Sequence, residues 1–154
     1  MFTLFLSLIG RIIGAVILAT TMTLTPHLSQ ADPLSALRWH HRALLVFAPT
    51  HSDPEFVTQG DWLSQMERGL RERDLLVFRV VGESVEMEGR LLSEPKAHLW
   101  REDFIIPRDE FTVVLIGKDG QVKLHQDSPT SEEQLFRLID AMPLRQQEMG
   151  MGRL

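Results

Sequence analysis

The feature that most restricts the fold of this chain is the stretch FTVVLIGKDGQVKLH, Phe111 to His125. Two apolar runs flank an Asp119–Gly120 pair. Glycine accepts the positive φ that a tight turn requires, so the two runs are expected to pair antiparallel as strands over Phe111–Gly117 and Gln121–His125. The next segment, SPTSEEQLFRLIDAMP, predicts a helix. Thr130 can cap it, and Glu133, three residues on, completes a capping box. Leu135, Leu138, Ile139 and Met142 fall on one face, and Pro143 ends the pattern.

Upstream, RALLVFA (Arg42 to Ala48) is a short continuous apolar run closed by Pro49, which predicts a buried strand. From Pro54 to Glu72 a three-four spacing of Phe56, Leu63, Met66 and Leu70, with Gln59 between them and Trp62 at the margin, predicts a helix. Gly60 and Gly69 weaken it. DLLVFRVVG (Asp74 to Gly82) predicts a second strand. Before the first strand, Leu34, Leu37 and Trp39 suggest a short helical face. The region from Glu83 to Ile106 mixes charges with scattered apolar residues and is expected to hold a loop and one short helix. A strand–helix–strand crossover makes parallel neighbours. With the later hairpin, the expected architecture is α/β: a mixed sheet of four to five strands flanked by helices, the thioredoxin-like arrangement.

The amino terminus reads differently. Residues 1–31 contain one charged side chain, Arg11, then IIGAVILA, and end on the small residues Ser29 and Ala31. A basic residue, an apolar run and a small-residue site predict a secretory signal peptide cleaved after Ala31, with an uncleaved amino-terminal anchor as the alternative. The domain is then expected over 32–149, with 150–154 as a tail. Overall the chain carries 16 Lys and Arg against 21 Asp and Glu, and loss of the leader removes one more positive charge. An acidic balance argues against a nucleic-acid partner. The chain has no cysteine. Disulfides, thiol chemistry and cysteine-based metal sites are therefore excluded, and the core must hold without staples.

LLVFAPTHSDPEFVTQ, GLRERDLLVFRVVG, FTVVLIGKDGQVKL and LIDAMPLRQQEM together resemble domain of unknown function family 4174, over roughly Leu34 to Met149. That resemblance implies a bacterial exported protein, kinship with vertebrate secreted proteins that carry sushi repeats, a thioredoxin-like fold and no established enzymatic activity. Against a generic thioredoxin, the redox motif falls at His51, Ser52, Asp53 and Pro54, none of which exchanges a disulfide. The position of the usual cis-proline falls near Thr112, five residues beyond Pro107.

Candidate site residues are few. Asp53 before Pro54 is the expected pairing of an amino-terminal cap with proline in the first helical turn. In the competing reading, His51 and Asp53 form an acid–base pair at the carboxyl end of the first strand, where ligands of open α/β sheets bind. His40 and His41 are adjacent in an extended stretch and project oppositely, so they make a poor metal clamp. His98 and His125 are isolated. No G-x-S-x-G elbow and no phosphate-binding glycine loop occur, and no metal or cofactor is expected. Trp100 reads as core. In the ending, Arg145, Gln146 and Glu148 are either groups that dock the tail onto the domain or candidate partner-binding residues. The function expected is an exported, periplasmic or secreted, non-catalytic binding module. Its partner would be a protein or another cell-envelope component, with membrane contact only through an uncleaved leader. A cysteine-free enzyme at His51 and Asp53, and a purely structural envelope protein, are the competing expectations.

Overall fold

The computed structural model describes residues 33–92 and 97–152, so the expected leader lies outside the described residues. The elements are α1 (Pro33–Leu37), β1 (Arg42–Ala48), α2 (Pro54–Gln65), α3 (Glu67–Glu72), β2 (Leu75–Val81), β3 (Ser84–Met87), β4 (Arg90–Leu91), α4 (Ala97–Asp103), β5 (Thr112–Ile116), β6 (Val122–Gln126), α5 (Glu132–Asp140) and α6 (Pro143–Met151). The strands form one mixed sheet in the order β4-β3-β2-β1-β5-β6. β1 and β2 are parallel, while β5 runs against β1 and β6 against β5.

Every residue of β1 is buried, because alternate side chains enter two separate cores, one on each face of the sheet. Leu44, Val46 and Ala48 pack with Phe56, Leu63 and Leu70 of α2 and α3 and with Leu135 and Ile139 of α5. Ala43, Leu45 and Phe47 pack with Phe78, Trp100 and Ile106 on the other face, where Leu34 and Leu37 of α1 also lie. Trp100 is a core residue, set edge-on to Phe78 at 5.5 Å. The β5–β6 hairpin turns at Gly120, whose φ is +79°, with Gly120 N–H donating to Gly117 O at 2.9 Å.

Four expectations need correction. Among the described residues the sheet has six strands rather than four to five. The additional pair, β3 and β4, turns on Glu88 and Gly89, at φ +51° and +73°. Two successive residues at positive φ match the right-handed twist of a two-residue hairpin, but Glu is not a residue that announces such a turn. The helix expected over 54–72 is two helices. The chain tightens at Met66, whose N–H reaches back three residues to Leu63 O. The cap of α5 is Ser131, whose side chain accepts from Gln134 N–H, rather than Thr130. Pro143 does not only end a helix; it sits in the first turn of α6, which runs to Met151, into the segment expected to be a tail. Proline at that position needs no N–H partner and has its φ already set for the helix.

Candidate functional site

Two ends of the sheet hold the residues singled out by the sequence. At the carboxyl end of β1, Asp53 caps α2: its Oδ1 accepts from Phe56 N–H at 3.0 Å. That bond occupies the carboxylate with a backbone donor of the first turn. His51 is largely exposed, 3.3 Å from Glu86 Oε1 of β3, with its ring edge-on to Phe56. The structure therefore separates the two residues into different hydrogen-bonded pairs, and neither lines the clefts described below. His125 contacts Phe104 O at 3.2 Å. Among the described residues, no three His, Asp or Glu side chains are grouped to hold a metal ion.

The opposite end is organised around a charge at the head of the apolar run RALLVFA. Arg42, the first residue of β1, is fully buried. Its Nη1 donates to Arg73 O at 2.8 Å, and both Nη atoms reach the Glu148 carboxylate of α6, at 3.2 and 3.3 Å. Lys118, in the β5–β6 turn, contacts the same carboxylate at 2.7 Å and Asp74 at 2.8 Å. A buried cation requires a partner of this kind, since its desolvation is otherwise uncompensated. Burial pushes the Glu148 carboxyl up, but the hydrogen bonds and charges of Lys118 and Arg42 outweigh it and hold the group below its ordinary value.

Arg145 extends the network. It contacts Asp140 at 3.2 Å, Glu72 O at 2.9 Å and Glu148 at 3.5 Å. Arg73 meets Asp140 at 2.6 Å and stacks on Phe136 at 3.8 Å. The Asp140 carboxyl is pushed up by burial and lowered, on balance, by Arg73 and Arg145. Gln146 Nε2 donates to Asp140 O. Arg145, Gln146 and Glu148 are thus all bonded inside the molecule, and what they build is the seat of α6 against the start of β1.

Beside that seat is a cleft of about 190 Å³, lined by Trp39, Lys118, Lys123, Met142, Pro143 and Leu144, with Arg42 at its base. Trp39 is not part of the helical face expected for it. It is 61% exposed, at φ +71°, and its N–H is fixed to Lys118 O at 2.7 Å. A bulky residue in the left-handed region is strained, and an exposed tryptophan forgoes its large burial energy. The helical spacing with Leu34 and Leu37 places it on a buried face, whereas α1 ends at Leu37.

The domain of unknown function DUF4174 family model matches residues 33–148. The chain belongs to the DUF4174 family. Curated relatives include the sushi repeat-containing protein SRPX2 of Xenopus laevis, 31% identical over 71% of this chain and 25% of its own length. The coiled-coil domain-containing protein 80 of Danio rerio is 31% identical over 77% of this chain and 16% of its own length. The sushi repeat-containing protein SRPX of Homo sapiens is 33% identical over 70% of this chain and 24% of its own. The DUF4174 domain thus spans a quarter or less of the length of these relatives. Its match ends at residue 148, on the carboxylate that holds Arg42.

Proposed function

We propose that this DUF4174 protein is an exported, non-catalytic binding module built on a thioredoxin-like scaffold, acting in the periplasm or outside the cell on a protein partner. The scaffold reading is supported by the order β6-β5-β1-β2 with β5 opposed to the other three. Kinship with sushi-repeat proteins and the apolar leader support export. Among the described residues no helix is long and apolar enough to cross a membrane.

The observation that carries the binding reading is Trp39, strained and exposed at the mouth of a cleft with apolar walls from Met142, Pro143 and Leu144 and a rim of ion pairs that includes Lys123 with Asp119. Aromatic anchors of this kind dominate binding energy at protein interfaces. In this reading Arg145, Gln146 and Glu148 serve binding by building the wall that carries Met142 and Leu144, rather than by meeting the partner themselves. The partner segment would present an apolar side chain to the cleft. The enzyme reading at His51 and Asp53 has less support, because Asp53 is committed to its helix and His51 to Glu86.

The test is capture of envelope proteins on the exported chain and on two surface variants. The expected result is a specific partner retained by wild type and by His51→Ala but lost with Trp39→Ala. A partner that survives Trp39→Ala and is lost with His51→Ala would move the site to the other end of the sheet.

A further inference from the structure

Arg101, on α4, is 5% exposed and lies at the carboxyl end of the parallel strands, opposite the Trp39 cleft. Its Nη2 donates to Ala48 O at 2.8 Å and Val80 O at 3.4 Å, and its Nη1 donates to Pro107 O at 2.9 Å. Its hydrogen bonds among the described residues therefore end on backbone carbonyls and none on a carboxylate, and its buried Nε has no partner. Arg42 also leaves its Nε without a partner but has the Glu148 carboxylate; among the described residues Arg101 has no carboxylate at ion-pair distance. Burial lowers its pKa, and the opposing charge of Glu83 does not make up for the lost water, with Arg108 lowering it further.

Arg101 forms one wall of a surface cleft of about 410 Å³ that is also lined by His98, Ile105, Arg108 and Glu102. Arg108 pairs at the surface with Glu83. Ile105 stands at φ +56° and is 87% exposed; a β-branched residue in the left-handed region is an outlier, and such strain concentrates at ligand sites.

We propose that this cleft is an oxyanion-binding site, in which a carboxylate, phosphate or sulfate group is held between Arg101 and Arg108 with His98 at the side. Both Nη atoms of Arg101 already donate to carbonyls, so Arg101 offers the second hydrogen of its less buried Nη1 and its charge, while Arg108, exchanging Glu83 for the ligand, offers the fork that suits a planar or tetrahedral oxyanion. Glu102 opposes anions at one rim and so favours a ligand whose charge is confined to one end. The position matches the crevice outside the carboxyl ends of strands where ligands of open α/β sheets bind.

The test is NMR titration of the isotope-labelled protein with sodium phosphate, sodium sulfate and sodium succinate, with chloride holding ionic strength constant. At least one anion is expected to produce saturable shifts of the Arg101 Nε–H signal and of amides over 98–108. Arg108→Ala, a surface change, is expected to weaken that binding about tenfold, the loss of one charge-assisted contact. Arg101→Lys should weaken it as well; if that variant does not fold, the wild-type Nε–H signal and Arg108→Ala still decide. Saturation by phosphate and sulfate alone assigns a phosphorylated or sulfated ligand, and saturation by succinate alone a carboxylate. Shifts that rise linearly with all three anions, or that are unchanged in Arg108→Ala, overturn the site.

Discussion

Glu148→Ala tests the account of the α6 seat most directly. In the native protein Arg42 keeps two of its donors on this carboxylate and one on Arg73 O. Its removal leaves a fully buried guanidinium with a single carbonyl. Breaking a buried ion pair from one side costs about 3–5 kcal/mol. Here Glu148 is 22% exposed and Lys118 retains Asp74, which reduces the expected loss to about 2–3 kcal/mol. At about 4 °C per kcal/mol for a domain of this size, Tm should fall by roughly 8–12 °C. Urea unfolding of wild type, Glu148→Ala, Arg42→Met and the double variant measures the coupling. The double variant should lose clearly less than the two single losses together, because no charge is then stranded. The acid limb adds a second readout. The folded Glu148 pKa lies below its ordinary value, so the unfolded chain takes up the proton first. The stabilisation is complete above the ordinary value and is lost as pH falls through the depressed one. Glu148→Ala should therefore flatten the stability profile in that acid window. A loss below about 0.5 kcal/mol, with additive single losses, would refute the reasoning.

Three further outcomes follow from the packing. Gln59 is buried and exchanges two hydrogen bonds with the Thr130 backbone, at 2.7 and 3.2 Å; Gln59→Leu should cost about 2 kcal/mol in chemical denaturation by orphaning both groups. Gly69→Ala should destabilise by about 1 kcal/mol, although alanine favours helix, because the new methyl would meet the Phe136 ring that Arg73 holds. Asp53→Ala should lose about 1 kcal/mol and Asp53→Asn almost none, since asparagine caps a helix equally well; a large loss in Asp53→Asn would point to a charge-dependent role.

β1, β2, the β5–β6 hairpin and α5 were legible in the sequence because each combines an apolar period with its own punctuation: Pro49, Gly82, Asp119–Gly120 and Pro143. The β3–β4 hairpin was not, since Glu88 carries no turn signal and its strands are short and half-polar. Gly69 looked like a helix weakness; its reason is a helix–helix contact distant in sequence, which local propensity does not register. Gln59 likewise looked like an interruption of an apolar face until its partner, 71 residues away, was in view. At the sites, Asp53 was readable because a cap is a local device. Arg42 and Arg101 were not: each owes its importance to being buried, and no arginine announces burial in a single sequence.

The ion pair between Arg42 and Glu148 also ties two distant parts of the sequence together. It joins the first residue of β1 to α6, so the first strand and the last described helix meet at the same end of the sheet. A unit whose two ends meet can be set into a longer polypeptide like a bead on a short loop, without pulling its core apart. The Arg101 cleft lies at the far end of the sheet from that junction.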